Sequence, residues 1–170
     1  MKRIVQFIAD KNLLEKNDTV LAAVSGGPDS LLLLYILADL RAEYNLTLTV
    51  IHINHQLRGE TAAKEAEFVG EICRQWQIPY RIVSKNVSEY AQSHHLSEEA
   101  AGHEVRYRIF AEEMRRLNAD KLALGHHLND RAESVLMHII KGCSPAGLAV
   151  LKAKEGKIIR PLLPLTKQEI

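Results

Sequence analysis

Apolar positions along the chain follow two alternating rhythms. Short β-branched and aliphatic runs occur at 19–24 (TVLAAV), 46–53 (LTLTVIHI), 78–83 (IPYRIV) and 121–125 (KLALG), with a shorter candidate at 158–160 (IIR). Runs of this length, closed by turn residues, predict buried parallel strands. Longer segments with helical spacing lie between them. Residues 2–15 carry Ile4, Val5, Ile8, Leu13 and Leu14 mostly on one stripe, and 28–44 contains the long aliphatic segment LLLLYILADL. Segment 60–77 turns Ala62, Ala66, Val69, Ile72 and Cys73 inward, and 97–117 opens on Ser97-Glu98-Glu99, an N-cap followed by first-turn acids. A last helix is predicted over 126–141, followed by a loop at 142–147. Between Ser84 and Leu96 the pattern dissolves into polar residues, which predicts a loop. Alternation throughout predicts an α/β fold: a doubly wound, five-stranded parallel sheet with helices on both faces. Ligands of such sheets bind at the carboxyl ends of the strands, near the point where the strand order reverses.

Three polar clusters stand where that rule puts a ligand. The first is Ser25-Gly26-Gly27-Pro28-Asp29-Ser30, directly after the first strand. Two adjacent glycines let backbone N–H groups approach a ligand, and the following helix N-terminus favours an anion. Pro28 suits the first helical position, where its missing N–H costs nothing. The loop is not a Walker A motif, since no Gly-Lys-Ser/Thr follows a four-residue gap, and it is not Gly-x-Gly-x-x-Gly. Asp29 inside an anion loop would repel phosphate unless a divalent cation lay between them, so the expected ligand is Mg²⁺-bound pyrophosphate.

The second cluster, His52-Ile53-Asn54-His55-Gln56-Leu57-Arg58-Gly59, ends the second strand. His52 and His55 read either as packing residues or as groups facing a nucleotide. The third, Gly125 to Ser134 (GHHLNDRAES), ends the fourth strand. Asp130 and Glu133 are three apart, so a helix puts them on one face, and both are expected in its first turn. They read as helix-capping acids, or as one metal ligand and one seat for an ammonium group. His126 and His127 are adjacent and point apart, which disfavours zinc. A histidine at this edge is better placed to hydrogen-bond a phosphate or a reacting oxygen. Arg106 and Arg108 lie mid-helix, either snorkelling or clamping phosphates. Trp76 reads as a packing residue, and the scattered basic residues define no patch.

Composition adds bounds. The chain's 170 residues and 46% hydrophobic content suit one α/β domain with a real core. A net charge of +1 makes no general case for nucleic-acid binding, so such a surface would be local. Cys73 and Cys143 are far apart with no CxxC, which suggests neither zinc nor iron–sulfur and suits a reducing compartment. The N-terminus MKRIVQFIAD, interrupted by Asp10, does not read as a signal peptide, and no apolar run reaches membrane-spanning length. A cytoplasmic protein with no membrane association is expected. Oligomeric state stays open and is compatible with a homodimer.

The loop SGGPDS resembles the SGGxDS pyrophosphate loop of the N-type ATP pyrophosphatases. From Thr19 to about Leu163 the chain is similar to one family of that superfamily, the tRNA(Ile)-lysidine synthetases. The resemblance rests on SGGPDS, HINHQLRG, EVRYRIF, GHHLNDRAESVLMHIIKG followed by GLAVL, and RPLLPL. The family's fourth motif reads closer to HHADDQAET. Here Asn129 stands in place of its first acid, and Arg131 and Ser134 replace Gln and Thr, while Asp130 and Glu133 keep their positions. The resemblance implies an ATP-using ligase acting on the wobble cytidine of an isoleucine tRNA with a CAU anticodon. ATP adenylates the oxygen at carbon 2, and the ε-amine of free lysine displaces AMP. It further implies that Ser25, Gly26, Gly27, Pro28, Asp29, Ser30, His52 and Arg106 hold ATP, that Asp29 and Asp130 hold Mg²⁺, that Glu133 receives lysine, and that His127 contacts the reacting groups. Residues 1–165 are expected to form the catalytic domain, and 166–170 to begin a connection to C-terminal domains that help grip tRNA. Residues 1–170 alone are expected to bind ATP but to modify tRNA weakly or not at all. The rival readings are a tRNA thiolase with Cys143 as its candidate cysteine, an amide-forming synthetase acting on a small metabolite, and a nucleotide-binding module without catalysis.

Overall fold

A computed structural model describes residues 1–54, 60–140 and 151–170. His55–Gly59, Cys143 and the loop expected at 142–147 lie outside them. The element order is α1 (Lys2–Asp10), β1 (Thr19–Ala23), α2 (Pro28–Asp39), α3 (Arg41–Tyr44), β2 (Thr47–Asn54), α4 (Glu60–Gln75), β3 (Tyr80–Ser84), α5 (Val87–His94), α6 (Glu98–Leu117), β4 (Lys121–Ala123), α7 (Leu128–Ile140), β5 (Lys154–Glu155) and β6 (Ile158–Ile159). A short 3₁₀ turn, Lys167–Glu169, closes the chain.

The sheet has the order β3-β2-β1-β4-β6-β5. Its first five strands in that order are parallel, as expected, and β5 pairs antiparallel with β6. The strand count is thus six rather than five. A two-residue edge strand such as Lys154–Glu155 leaves no periodic trace in the sequence. The order runs outward from β1 through β2 to β3, then returns to place β4 on the other side of β1. The reversal falls between β1 and β4, and their carboxyl ends flank the crevice.

Alternation along β1 fills two layers. Val20, Ala22 and Val24 pack with α1, α2 and α4 residues such as Ile8, Leu33, Leu37 and Val69, while Leu21 turns to Val105, Ile109 and Phe110 of α6. Both faces of β1 are therefore covered, which is why its run is continuously apolar. At the sheet edge β3 is mostly exposed, and its Arg81 donates to the carboxylate of Glu113 on α6 at 2.7 Å. Glu113 is buried and takes a second guanidinium, Arg116.

Two helical predictions change. The predicted 28–44 helix breaks at Leu40 into α2 and α3, and α3 ends on Asn45 in the left-handed conformation. The polar stretch after Ser84 contains α5, whose Asn86 side chain accepts the Glu89 N–H at 3.1 Å. Only Val87 and Ala91 of that helix are buried, so α5 has too narrow an apolar stripe to show in the pattern. It exists because α6 covers it.

Candidate active site

After β1 the chain turns through Val24–Gly27 into α2. Gly26 has φ +93°, a conformation that a side chain would strain. Gly27 is the N-cap of α2 and Pro28 its first residue, and no side chain caps this end. The first helical bond is Leu31 N–H to Gly27 O, at 3.1 Å. The Asp29 and Ser30 amides ahead of it have no helical partner, as at any helix start. Ser30 is buried and holds the loop in shape. Its Oγ accepts the N–H groups of Ser25 at 3.1 Å and Gly26 at 3.2 Å, and donates to Gly27 O at 2.9 Å. The Ser25 hydroxyl lies 3.2 Å from the same oxygen. The Ser30 hydroxyl, read from the sequence as an anion contact, is the internal hub of the loop.

The loop after β4 approaches from the other side. A Cβ on Gly125 would lie 3.4 Å from the backbone C and O of Asp29 and from Ser30 Cα, at the edge of ordinary contact, so the end of β4 packs closely on the start of α2. Helix α7 begins at Leu128, two residues later than predicted, and only one of the two acids expected in its first turn is there. Asp130 lies in the first turn, whereas Glu133 falls in the second, exposed and not among the residues lining the cleft. Asp130 accepts the His127 N–H at 2.8 Å through Oδ2.

His127, 5% exposed, stands between two carboxylates. Its Nε2 is 3.9 Å from Asp29 Oδ2, and its Nδ1 is 3.4 Å from Asp130 Oδ2. The other oxygen of Asp29, Oδ1, is buried without a hydrogen-bond partner among the described residues. A buried, unpartnered carboxylate oxygen is unfavourable by roughly 1–3 kcal/mol or more, so this atom calls for a cation. Among the described residues no group of three or more His, Cys, Asp or Glu is arranged for a metal. Asp29 and Asp130 would leave most positions of an ion to phosphate oxygens and water, the preference of Mg²⁺. The donor set fits that ion.

These residues line a cleft of about 690 Å³, within the range of small-molecule sites, roughly 300–1,000 Å³. Ala23 to Ser25, Asp29 and Ser30 form one wall, Ile51 to Asn54 a second, and Leu124, Gly125, His126 and Asp130 a third. Helix α6 contributes His103, Arg106, Tyr107 and Phe110. Arg106 faces the cleft with no ion pair among the described residues, whereas Arg108 turns away and lies 5.3 Å above the Tyr90 ring. His52 is 2% exposed and its Nδ1 lies 2.9 Å from Val24 O, so it donates to that carbonyl and ties the end of β1 to β2 while lining the cleft. Trp76 is partly buried against the core and meets Tyr35 edge-on.

Sequence reasoning missed one residue here. Arg160, 3% exposed, follows β6 and donates Nε to His126 Nδ1 at 3.2 Å. Burial, with the Arg160 charge beside it, holds the His126 pKa below its ordinary value. RPLLPL marked the position only as a family motif, and no periodicity ties residues 34 apart.

An uncapped helix N-terminus in a glycine turn, facing paired carboxylates across the reversal point of a parallel sheet, defines a nucleotide-binding α/β domain. The chain belongs to the PP-loop domain family, whose model matches residues 1–170. It is 41% identical over 170 residues to the tRNA(Ile)-lysidine synthase of Caldanaerobacter subterraneus subsp. tengcongensis, covering 100% of this chain and 36% of that one. With the tRNA(Ile)-lysidine synthase of Clostridium acetobutylicum it shares 36% over 168 residues, covering 98% and 36%. The chain thus spans about a third of the length of the curated relatives it matches. Among solved structures it is similar to the U34-tRNA thiolase NcsA from Methanococcus maripaludis with its [4Fe-4S] cluster. There the TM-score is 0.81 at 28% identity, over 99% of this chain and 60% of that one. NH3-dependent NAD synthetase from Campylobacter jejuni shares the fold, with a TM-score of 0.61 at 15% identity over 99% and 67%.

Proposed function

We propose that residues 1–165 are the catalytic domain of a tRNA(Ile)-lysidine synthase, and that 166–170 lead into the domains that account for the relatives' greater length. The observation that carries this reading is the pairing of the SGGPDS helix N-terminus with Asp29 Oδ1, a buried carboxylate oxygen that has no partner among the described residues. The similarity along the whole chain to synthases of that name supports tRNA as the acceptor.

ATP lies in the cleft with its phosphates at the start of α2. The Asp29 and Ser30 amides and Arg106 bind phosphate oxygens. Asp29 and Asp130 would hold Mg²⁺, which would offset charge on the pyrophosphate leaving group. The wobble cytosine of an isoleucine tRNA, splayed from the anticodon loop, presents its carbon-2 oxygen to the α-phosphorus. The new O–P bond forms as the bond to pyrophosphate breaks. The ε-amine of free lysine then attacks carbon 2 and loses a proton, and the C–O bond breaks to release AMP with the oxygen. Glu133, on the exposed face of α7, receives the lysine. His127, held between Asp29 and Asp130, keeps the two carboxylates in register. The solved thiolase relative raises sulfur delivery as the rival outcome. Cys73 is unsuited to it, being buried with its thiol pushed up to about 11.

Incubation of the complete gene product with ATP, labelled lysine and bulk tRNA tests the proposal. Label in RNA that requires ATP, with AMP released in equal amount, is the expected result. Sulfur in the modified base, or lysine incorporation without ATP, would refute it.

A further inference from the structure

The two adjacent histidines after β4 occupy different surroundings. His127 is enclosed by Asp29 and Asp130, whereas His126 is half-buried and lines the cleft. What faces the Nδ1 of His126 is Arg160. That guanidinium is held on three sides: Nη1 donates to Lys152 O at 2.8 Å, Nη1 and Nη2 reach Glu155 Oε2 at 3.3 Å, and Nε points at the imidazole. Arginine has no acceptor and does not lose its proton in proteins. A nitrogen that receives its N–H must be the unprotonated one, so the ring has one arrangement left: neutral, with the proton on Nε2. Protonation of Nδ1 would set two donors against each other beside a buried positive charge.

We propose that Arg160 is a positioning residue that fixes His126 as a neutral Nε2–H donor, and that His126 uses this proton to bind a phosphoryl oxygen of the nucleotide in the cleft. The assignment rests on the reading that the cleft holds ATP. It takes from His127 the contact to the reacting groups that the sequence suggested. His126 then acts as a fixed dipole aimed at developing charge and not as a base, the arrangement that needs no reorganisation during reaction. It also gives a purpose to the β5–β6 hairpin, which supplies both Glu155 and the backbone that orients Arg160.

Long-range ¹H–¹⁵N spectra of the ¹⁵N-histidine-labelled protein at neutral pH read the tautomer directly. Nδ1 of His126 should resonate as the unprotonated nitrogen and Nε2 as the protonated one; a protonated Nδ1 would overturn the proposal. In Arg160→Met that preference should relax toward a mixture of tautomers. An unchanged tautomer in a folded R160M protein would remove Arg160 from the assignment. If R160M does not fold, the wild-type spectrum and a His126 pair still decide. Calorimetric titration with ATP and Mg²⁺ should show His126→Leu weakened about tenfold or more, the size of one hydrogen bond to a charged group. His126→Gln, which restores an N–H donor but no base, should recover most of that loss. Equal weakening in both variants, or in neither, would refute the donor role. These readouts use ATP alone, so they stand or fall separately from lysine transfer to tRNA.

Discussion

Asp29 Oδ2 lies 3.9 Å from Nε2 of the buried His127, while Asp29 Oδ1 is shut away from solvent with no hydrogen-bond partner among the described residues. One carboxylate thus touches the ring that joins it to Asp130 and keeps an oxygen in reserve. Such an arrangement is unfavourable without a cation beside it. Asp29→Asn should therefore keep or slightly raise the melting temperature measured in EDTA. The same variant should lose at least about a hundredfold in ATP-dependent AMP release, as removal of a charge-stabilising group does. A clear loss of stability in EDTA would show that Asp29 is structural.

Ser30→Ala removes the oxygen on which the Ser25 and Gly26 amides converge. Two loop N–H groups lose their partner, so urea unfolding should show a loss of about 1–3 kcal/mol. ATP affinity should fall with it, since the glycine turn is then free to leave its bound shape.

Gly125 sets how closely the β4 end approaches α2. A single Cβ would sit 3.4 Å from Asp29 and Ser30 backbone atoms, at the edge of ordinary contact. Gly125→Ala should bind ATP within a few-fold of wild type. Gly125→Val adds two methyl groups against backbone that cannot yield, and should abolish measurable ATP binding in calorimetry.

Far from the cleft, Arg116 and, behind it, Arg81 hold the Glu113 carboxyl below its ordinary pKa, against burial, which pushes it up. Because the folded value is the lower one, the stabilisation is complete above the unfolded pKa and is lost as pH falls through the folded one. Glu113→Gln should cost about 1–2 kcal/mol at neutral pH, discounted for two arginines that are half exposed. The gap between wild type and variant in urea unfolding should shrink toward zero as the pH drops below the carboxylate range.

Much of this site was legible because its parts are local. Gly26, Gly27 and Pro28 shape the turn from within six residues, and Asp29 betrays a cation by its mere presence in an anion loop. β1, β2 and β4 declared themselves because strands buried on both faces are apolar nearly throughout. The first turn of α7 was read less well, since capping geometry and not periodicity decides that the helix starts at Leu128. Helix α5 was missed because two buried residues, Val87 and Ala91, are too few to make a stripe.

The sequence by itself determined the parallel strands and most of the helices between them, the glycine turn of SGGPDS, and that Asp29 and Asp130 follow strand ends. Short-range sterics and the burial of apolar runs act within a few residues, so their record is in the local pattern. Only the tertiary structure decided which partners those groups meet. Gly125 stacks on the backbone of Asp29 about a hundred residues away, and Arg160 reaches back to His126. Such contacts arise from strand order and packing, which bring distant residues together after the local choices are made, and no spacing along the chain encodes them.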